Sequence, residues 1–384
     1  MSEKRKILIL TASYGSGHIT AARNLQKTIA EIFPDKYQTT VLDFLALENQ
    51  PAPDQKTFFQ KFYNQCMERP RLWDICFSLT NNQLHSRLLS RIIRLGYFAL
   101  VSQIFDRENP AIFVSTHPYW NFLVPEYNQC RRQNKLLARP YLCLITDSLT
   151  IHTTWQTKKA DYLLTIDYDT REYLRQKGFS SVIATGFPVH PEFFQPLDKN
   201  FLTSLGLSPD KLTILITIGL GNYRRFLQII NWLNQSGPNN FQMIIITGKY
   251  QEIYSQLNSK KFHIPTKVIG WTDRMVDFIR AADLVIAKGG GAIISESLAA
   301  QKPVLVPVFV PGQERGNIQF LQKHNCGYYT PTLSGAKKQL YQILQQPEQL
   351  SAISRNIKNV FIRDGAKNIV QLIDDILEKR NNHL

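Results

Sequence analysis

Three consecutive glycines, Gly289, Gly290 and Gly291, stand between an apolar run at 284–287 and a helix-like segment that carries Glu296. Where a helix begins on residues without side chains, its free N–H groups and positive dipole end lie open to a phosphate. A carboxylate inside such a helix can accept hydrogen bonds from sugar hydroxyls. A second apolar run, 304–309, leads into the polar turn Pro311, Gly312, Gln313, Glu314. At the carboxyl end of the next parallel strand, this turn reaches the same crevice. A glycine run alone is only a tight strand-to-helix turn. Two polar loops on adjacent strands, each with a carboxylate that packing does not explain, read as a cradle for a sugar nucleotide.

A second constellation opens the chain. The run 7–10 is followed by TASYGSGHITAA, where Gly15 and Gly17 flank Ser16 and His18 stands at a helix start. There the helix dipole lowers an imidazole's pKa, and a neutral imidazole can take a proton from an acceptor hydroxyl. A dinucleotide fingerprint competes, because Asp43 ends the second strand as a ribose-binding acid would, but position six of the frame is Thr20. His117 (in STHP, 115–118), Asp147 and His152 each follow a strand. Asp147 is suited to orient His18 or to meet the acceptor. The glycine pair Gly219 and Gly221 lacks a third glycine and a following acid, and Arg224 with Arg225 reads as a surface pair. Asp167 and Asp169 form a DxD, yet Asp169-Thr170-Arg171-Glu172 is more simply a capping box that starts a helix. No metal or other cofactor is assigned. Ser16 lies in no G-x-S-x-G elbow, so hydrolase chemistry is unsupported.

The elements that must position these residues alternate between β-branched apolar runs and helical patterns, the mark of parallel sheets flanked by helices. Strands are predicted at 7–10, 39–42, 111–115, 141–146, 162–165 and 182–184, then at 212–218, 243–247, 267–269, 284–287 and 304–308. Three prolines within 186–199 mark a boundary. With 384 residues, the α/β fold class is two Rossmann-like domains whose loops face a cleft. The charge balance of 45 basic against 30 acidic residues, a net +15, favours polyanionic partners, either nucleic acid or an anionic membrane surface. Residues 51–105 read as helical and mix aromatics with bases. Arg87, Arg91 and Arg94 share one helical face there, with Leu88, Ile92 and Leu95 on another, as in a helix that lies in a membrane interface. No apolar run reaches the ~20 residues of a membrane span, and the run 7–10 is too short for a signal peptide. Five cysteines without a CxxC pair fit a reducing cytosol.

YGSGHITAA, SLTIHTTW at 148–155, GFPVHPEF at 186–193 and AKGGGAIISESLAAQKPVLVPVFVPGQERGN resemble the motifs of monogalactosyl- and processive glucosyl-diacylglycerol synthases. These are relatives of the lipid-linked GlcNAc transferase of peptidoglycan assembly. The resemblance implies a GT-B fold, with an acceptor domain at 1–190, a UDP-sugar domain at 191–365 and a terminal helix at 366–384 that returns to the first. It implies transfer of galactose or glucose from a UDP-hexose to diacylglycerol with inversion, at the inner face of the cell membrane. Gly289, Gly290 and Gly291 would hold the diphosphate and Glu296 the ribose. Gln313 and Glu314 would hold the hexose, Asn317 would complete the nucleotide-sugar set, and His18 would be the base. Gly15, Gly17, His152 and the three arginines fall on the acceptor and membrane side. The family's Lys-Pro-Gly-Gly is Lys288-Gly289-Gly290-Gly291 here, and the loop opening the second domain is reduced to GLGNYRRF; both bear on donor identity. Rival readings are a transferase acting on a polyprenyl-linked sugar and a non-catalytic binder of sugar nucleotides or membranes. A nucleic-acid partner is disfavoured, because the aromatics cluster in one helical insert.

Overall fold

In the computed structural model the described residues are 4–13, 16–48, 77–219, 223–236 and 240–381. Gly15, Gly221 and the stretch 51–76 lie outside them. The chain divides into two compact units. The first comprises Met1–Val189, Pro311–Gln313 and Ile362–Leu384; the second comprises His190–Val310 and Glu314–Phe361.

The first unit holds a six-stranded sheet of β1 (Arg5–Thr11), β2 (Tyr37–Asp43), β3 (Ile112–Ser115), β4 (Tyr141–Ile145), β5 (Tyr162–Thr165) and β6 (Val182–Ala184). The order is β2-β1-β3-β4-β5-β6 and every pairing is parallel. The second unit holds β7 (Leu212–Thr217), β8 (Phe241–Ile246), β9 (Thr266–Ile269), β10 (Leu284–Ile286), β11 (Val304–Val306) and β12 (Gly327–Tyr329), in the order β12-β11-β10-β7-β8-β9 and again parallel. Helices on both faces explain why IFVS and YLCLI are buried at every residue. Strand order reverses beside β1 and β3 in the first sheet, and beside β7 and β10 in the second. Such switch points open a crevice at the strands' carboxyl ends.

Four expectations need correction. β12 was not foreseen, because Gly-Tyr-Tyr is too short and too polar to stand out as an edge strand. β11 ends at Val306, earlier than 308. The helix Tyr168–Gln176 is capped by Asp167 rather than Asp169, with the Asp167 carboxylate accepting from the Thr170 N–H. The fourth concerns the helix Gln83–Glu108. It buries Ile93, Val101, Ile104 and Phe105 in the first unit's core. Leu88, Ile92 and Leu95 are left at the surface together with Leu84, and Leu95 is 90% exposed. Its stretch Leu84–Glu108 is long and apolar enough, by length and composition, to cross a membrane. The scattered Arg, Ser and Gln hid this from a search for unbroken apolar runs.

The last helix, Gly365–Asn381, packs Ile369, Val370, Ile373 and Leu377 into the first unit. Polar contacts reinforce it. Lys36 Nζ lies 3.0 Å from Glu378 and also pairs with Asp374, which accepts from the Tyr37 hydroxyl, and Arg5 pairs with Glu378.

Candidate functional site

In the first unit the site grows from the switch point. After β1 the chain turns at Ser13, whose N–H donates to Asp43 Oδ1 at 3.0 Å while its hydroxyl bonds Oδ2. The acid considered for ribose binding is thus spent on fixing this loop. The helix Ser16–Ile32 begins at once and places His18 in its first turn. Thr116, just past β3, donates its hydroxyl to the His18 carbonyl at 3.0 Å. Thr146, just past β4, lies 3.1 Å from His18 Nδ1. The His117 ring meets His18 edge-on at 4.8 Å between centroids, and Trp155 lies 6.0 Å away. His18 keeps some surface in solvent. Burial of the ring nevertheless lowers its pKa to about 4, outweighing a hydrogen bond to the Thr116 backbone.

Two findings here go beyond the sequence expectations. The Thr146 hydroxyl meets Nδ1, a partner the sequence did not single out, and Asp147 is buried next to it in the chain. Burial, not the helix dipole, is the leading cause of the low pKa. His117 was named in the sequence but given no role; it is buried, and its pKa falls well below the usual value through burial and the neighbouring His18. His152 caps the short turn Thr153–Trp155, with Nδ1 2.8 Å from Thr154 Oγ1 and Nε2 3.2 Å from Thr80 Oγ1. Gly17 lies in the first turn of the His18 helix. Arg87 and Arg91 are exposed on their helix, and Arg94 is paired with Glu126 at 3.0 Å.

In the second unit the glycine run caps the helix Gly291–Ala299, with Gly290 at the N-cap. The three glycines do different work. Gly289 donates to the Val308 carbonyl at 3.0 Å and Gly290 to that of Lys288 at 2.8 Å, so these amides are spoken for. A Cβ at Gly289 would stand 2.7 Å from Phe309 Cβ, a clash that only glycine avoids. The first helical bond runs from Ile294 N–H to the Gly290 carbonyl at 3.1 Å. The open donors are therefore the amides of Gly291, Ala292 and Ile293. Glu296 has no partner for its carboxylate among the described residues, and burial alone pushes its pKa up to about 7. Glu314 is 4% exposed; Oε2 accepts from the Val310 N–H at 2.7 Å and Oε1 pairs with Lys288 Nζ at 2.7 Å. Asn317 is buried and donates to the Gly289 carbonyl at 3.0 Å. Gln313, which belongs to the first unit, is half-buried.

Sequence reasoning passed over Lys288 as a partner for Glu314. It also passed over Trp271, 68% exposed after β9, with the Lys249 ammonium 5.1 Å from its ring centroid. The clue was available: Gly248 and Gly270 each follow a strand. Among the described residues no group of three or more His, Cys, Asp or Glu side chains is arranged to hold a metal.

Two parallel α/β units, each with polar loops at its switch point, make a GT-B fold. Residues 18–189 match the family model of monogalactosyldiacylglycerol (MGDG) synthase, and residues 213–369 match the glycosyltransferase family 28 C-terminal domain. Each unit thus resembles a glycosyltransferase family model. The processive diacylglycerol beta-glucosyltransferase of Bacillus licheniformis is 26% identical, with 99% of this chain and 96% of that one aligned. Monogalactosyldiacylglycerol synthase 1, chloroplastic, of Arabidopsis thaliana is 24% identical over 98% of this chain and 72% of its own. Among solved structures, MurG of Acinetobacter baumannii shares the fold at 13% identity, with a TM-score of 0.60 over 97% of this chain and 100% of that one.

Proposed function

We propose that this protein is an inverting transferase that moves a hexose, galactose or glucose, from a UDP-sugar to the hydroxyl of diacylglycerol. The observation that carries the reading is the pairing of three open helix amides at 291–293 with the unpartnered carboxylate of Glu296 at the second sheet's switch point. Anionic diphosphate suits the amides, and ribose hydroxyls suit a carboxylate that has no protein donor. Trp271 offers a flat face for the nucleobase.

In this mechanism His18 is neutral and takes the proton of the acceptor hydroxyl. The hydroxyl oxygen attacks the anomeric carbon, the bond from that carbon to the diphosphate oxygen breaks, and UDP leaves with the bonding pair. The helix amides receive the charge that develops on UDP, with no metal in the step. Thr146 holds the imidazole at Nδ1. The helix Gln83–Glu108 lays Leu84, Leu88, Ile92 and Leu95, flanked by Arg87 and Arg91, on an anionic bilayer. Because its other face is built into the core, it lies on the membrane rather than across it. That makes the enzyme peripheral on the membrane surface that supplies UDP-sugar, the cytoplasmic one, and it needs no nucleic-acid partner.

The test is product analysis by mass spectrometry after incubation with diacylglycerol vesicles and UDP-glucose or UDP-galactose, with and without EDTA. A hexosyl-diacylglycerol is expected at an unchanged rate in EDTA. His18→Ala is expected to lower kcat by roughly 10²–10⁴-fold with UDP binding intact. Near wild-type turnover in that variant would remove His18 as the base.

A further inference from the structure

Lys288 immediately precedes the glycine run at the carboxyl end of β10. Its stem lies against the end of β7: a Cβ at Gly219 would stand 3.6 Å from Lys288 Cβ. Its ammonium pairs with Glu314 Oε1 at 2.7 Å. Glu314 in turn closes the neck of the turn after β11. Its N–H donates to the Val310 carbonyl at 3.0 Å, and its Oε2 accepts from the Val310 N–H at 2.7 Å. The two carboxylate oxygens also lie 3.5 Å from where side chains would emerge at Gly289 and Gly290. One lysine thus ties together the loops that follow β7, β10 and β11.

An apolar pair of similar volume fills such a space at no loss of stability, whereas removing one member of a buried ion pair strands the other's charge. Stability therefore gives little reason for the pair, and fixed loop spacing gives a good one. A displacement of about 1 Å at a reacting centre costs on the order of 10²-fold in rate. We infer that Lys288 is a positioning residue for the donor hexose, acting through Glu314 to lock the neck of the Gln313-bearing turn against the glycine run. The inference rests on the donor-site reading above. On it, Glu314 serves as a strut and Gln313 is the side chain left to meet the sugar.

The experiment compares wild type, Lys288→Met and Lys288→Arg by calorimetric binding of UDP and by steady-state transfer from UDP-hexose. Lys288→Met is expected to bind UDP within about threefold of wild type but to lose roughly 100-fold in kcat/KM for UDP-hexose, with KM for diacylglycerol unchanged. Lys288→Arg, which keeps the charge, is expected to recover most of that loss. Equal losses of UDP affinity and of transfer would make Lys288 a diphosphate ligand instead, and unchanged transfer would give it no role; either result overturns the inference. If Lys288→Met does not fold, the neutral pair Lys288→Met/Glu314→Gln takes its place under the same criteria. Failure of the wild type to bind UDP would instead overturn the donor-site reading.

Discussion

A histidine oriented by a hydroxyl differs from one oriented by a carboxylate. Thr146 brings no negative charge to Nδ1, and the burial that lowers the His18 pKa to about 4 prevails over the opposing hydrogen bond to the Thr116 backbone. The base form is therefore complete throughout the neutral range. The acid limb of kcat/KM is expected near pH 4 rather than 6.5, and Thr146→Asp should move it up by about one unit or more; a pH–rate profile with fluorescence control of folding checks both. Burial has a cost of the opposite sign for the fold. His18, His117 and His152 all have lowered pKa values, so between about 6.5 and 4 the unfolded chain binds more protons than the folded one. Stability then falls as pH drops through that window, by up to about 1.4 kcal/mol per pH unit for each histidine, and urea midpoints at pH 7 and pH 5 measure the drop. Glu296 titrates the other way. Its pKa of about 7 means the folded protein holds part of a proton there at neutral pH, which ribose hydroxyls should displace. UDP binding at pH 7 is expected to release part of a proton, seen as a buffer-dependent binding enthalpy, and no release would deny Glu296 that contact. Of these residues, His18 and Glu296 were legible because their types stand out beside glycine loops. Thr146 and Lys288 were not, since a threonine after a strand or a lysine before glycines carries no signal until the neighbouring strand supplies its partner.

At the scale of elements, the parallel strands were readable because sheets covered on both faces must be apolar at every position, as YLCLI is in β4. β12 escaped notice for the opposite reason, an edge strand needing little apolar surface. The helix Gln83–Glu108 shows where periodicity alone misleads. The spacing correctly puts Leu88, Ile92 and Leu95 on one face, but the face that enters the core is that of Ile93, Val101 and Phe105. The exposed leucines are then free to enter lipid, each contributing about 1.5–3 kcal/mol if fully buried. Leu88→Glu/Leu95→Glu is expected to cut binding to anionic vesicles at least tenfold in a flotation assay while UDP affinity stays the same. Unaltered flotation would remove this helix as the docking face.

For the whole molecule, two features act beyond any one site. The net charge of +15 should make vesicle binding weaken as salt rises from about 0.05 to 0.5 M, because the Debye length shrinks well below 10 Å. The other is the closing helix Gly365–Asn381, whose apolar face is part of the first unit's interior and whose acids meet Lys36 and Arg5. The family resemblance implied a last helix that returns to the first domain, and the fold assembles the first unit from Met1–Val189 together with Ile362–Leu384. Its core stays open on the ribosome until residues 365–381 have emerged, by which time the whole second unit has been made. Synthesis order and folding order therefore diverge. A nascent chain stalled just before residue 365 presents a bare apolar groove beside the helix Ser16–Ile32, the kind of surface that chaperones hold. A stop codon just before position 365 damages the unit that holds β1.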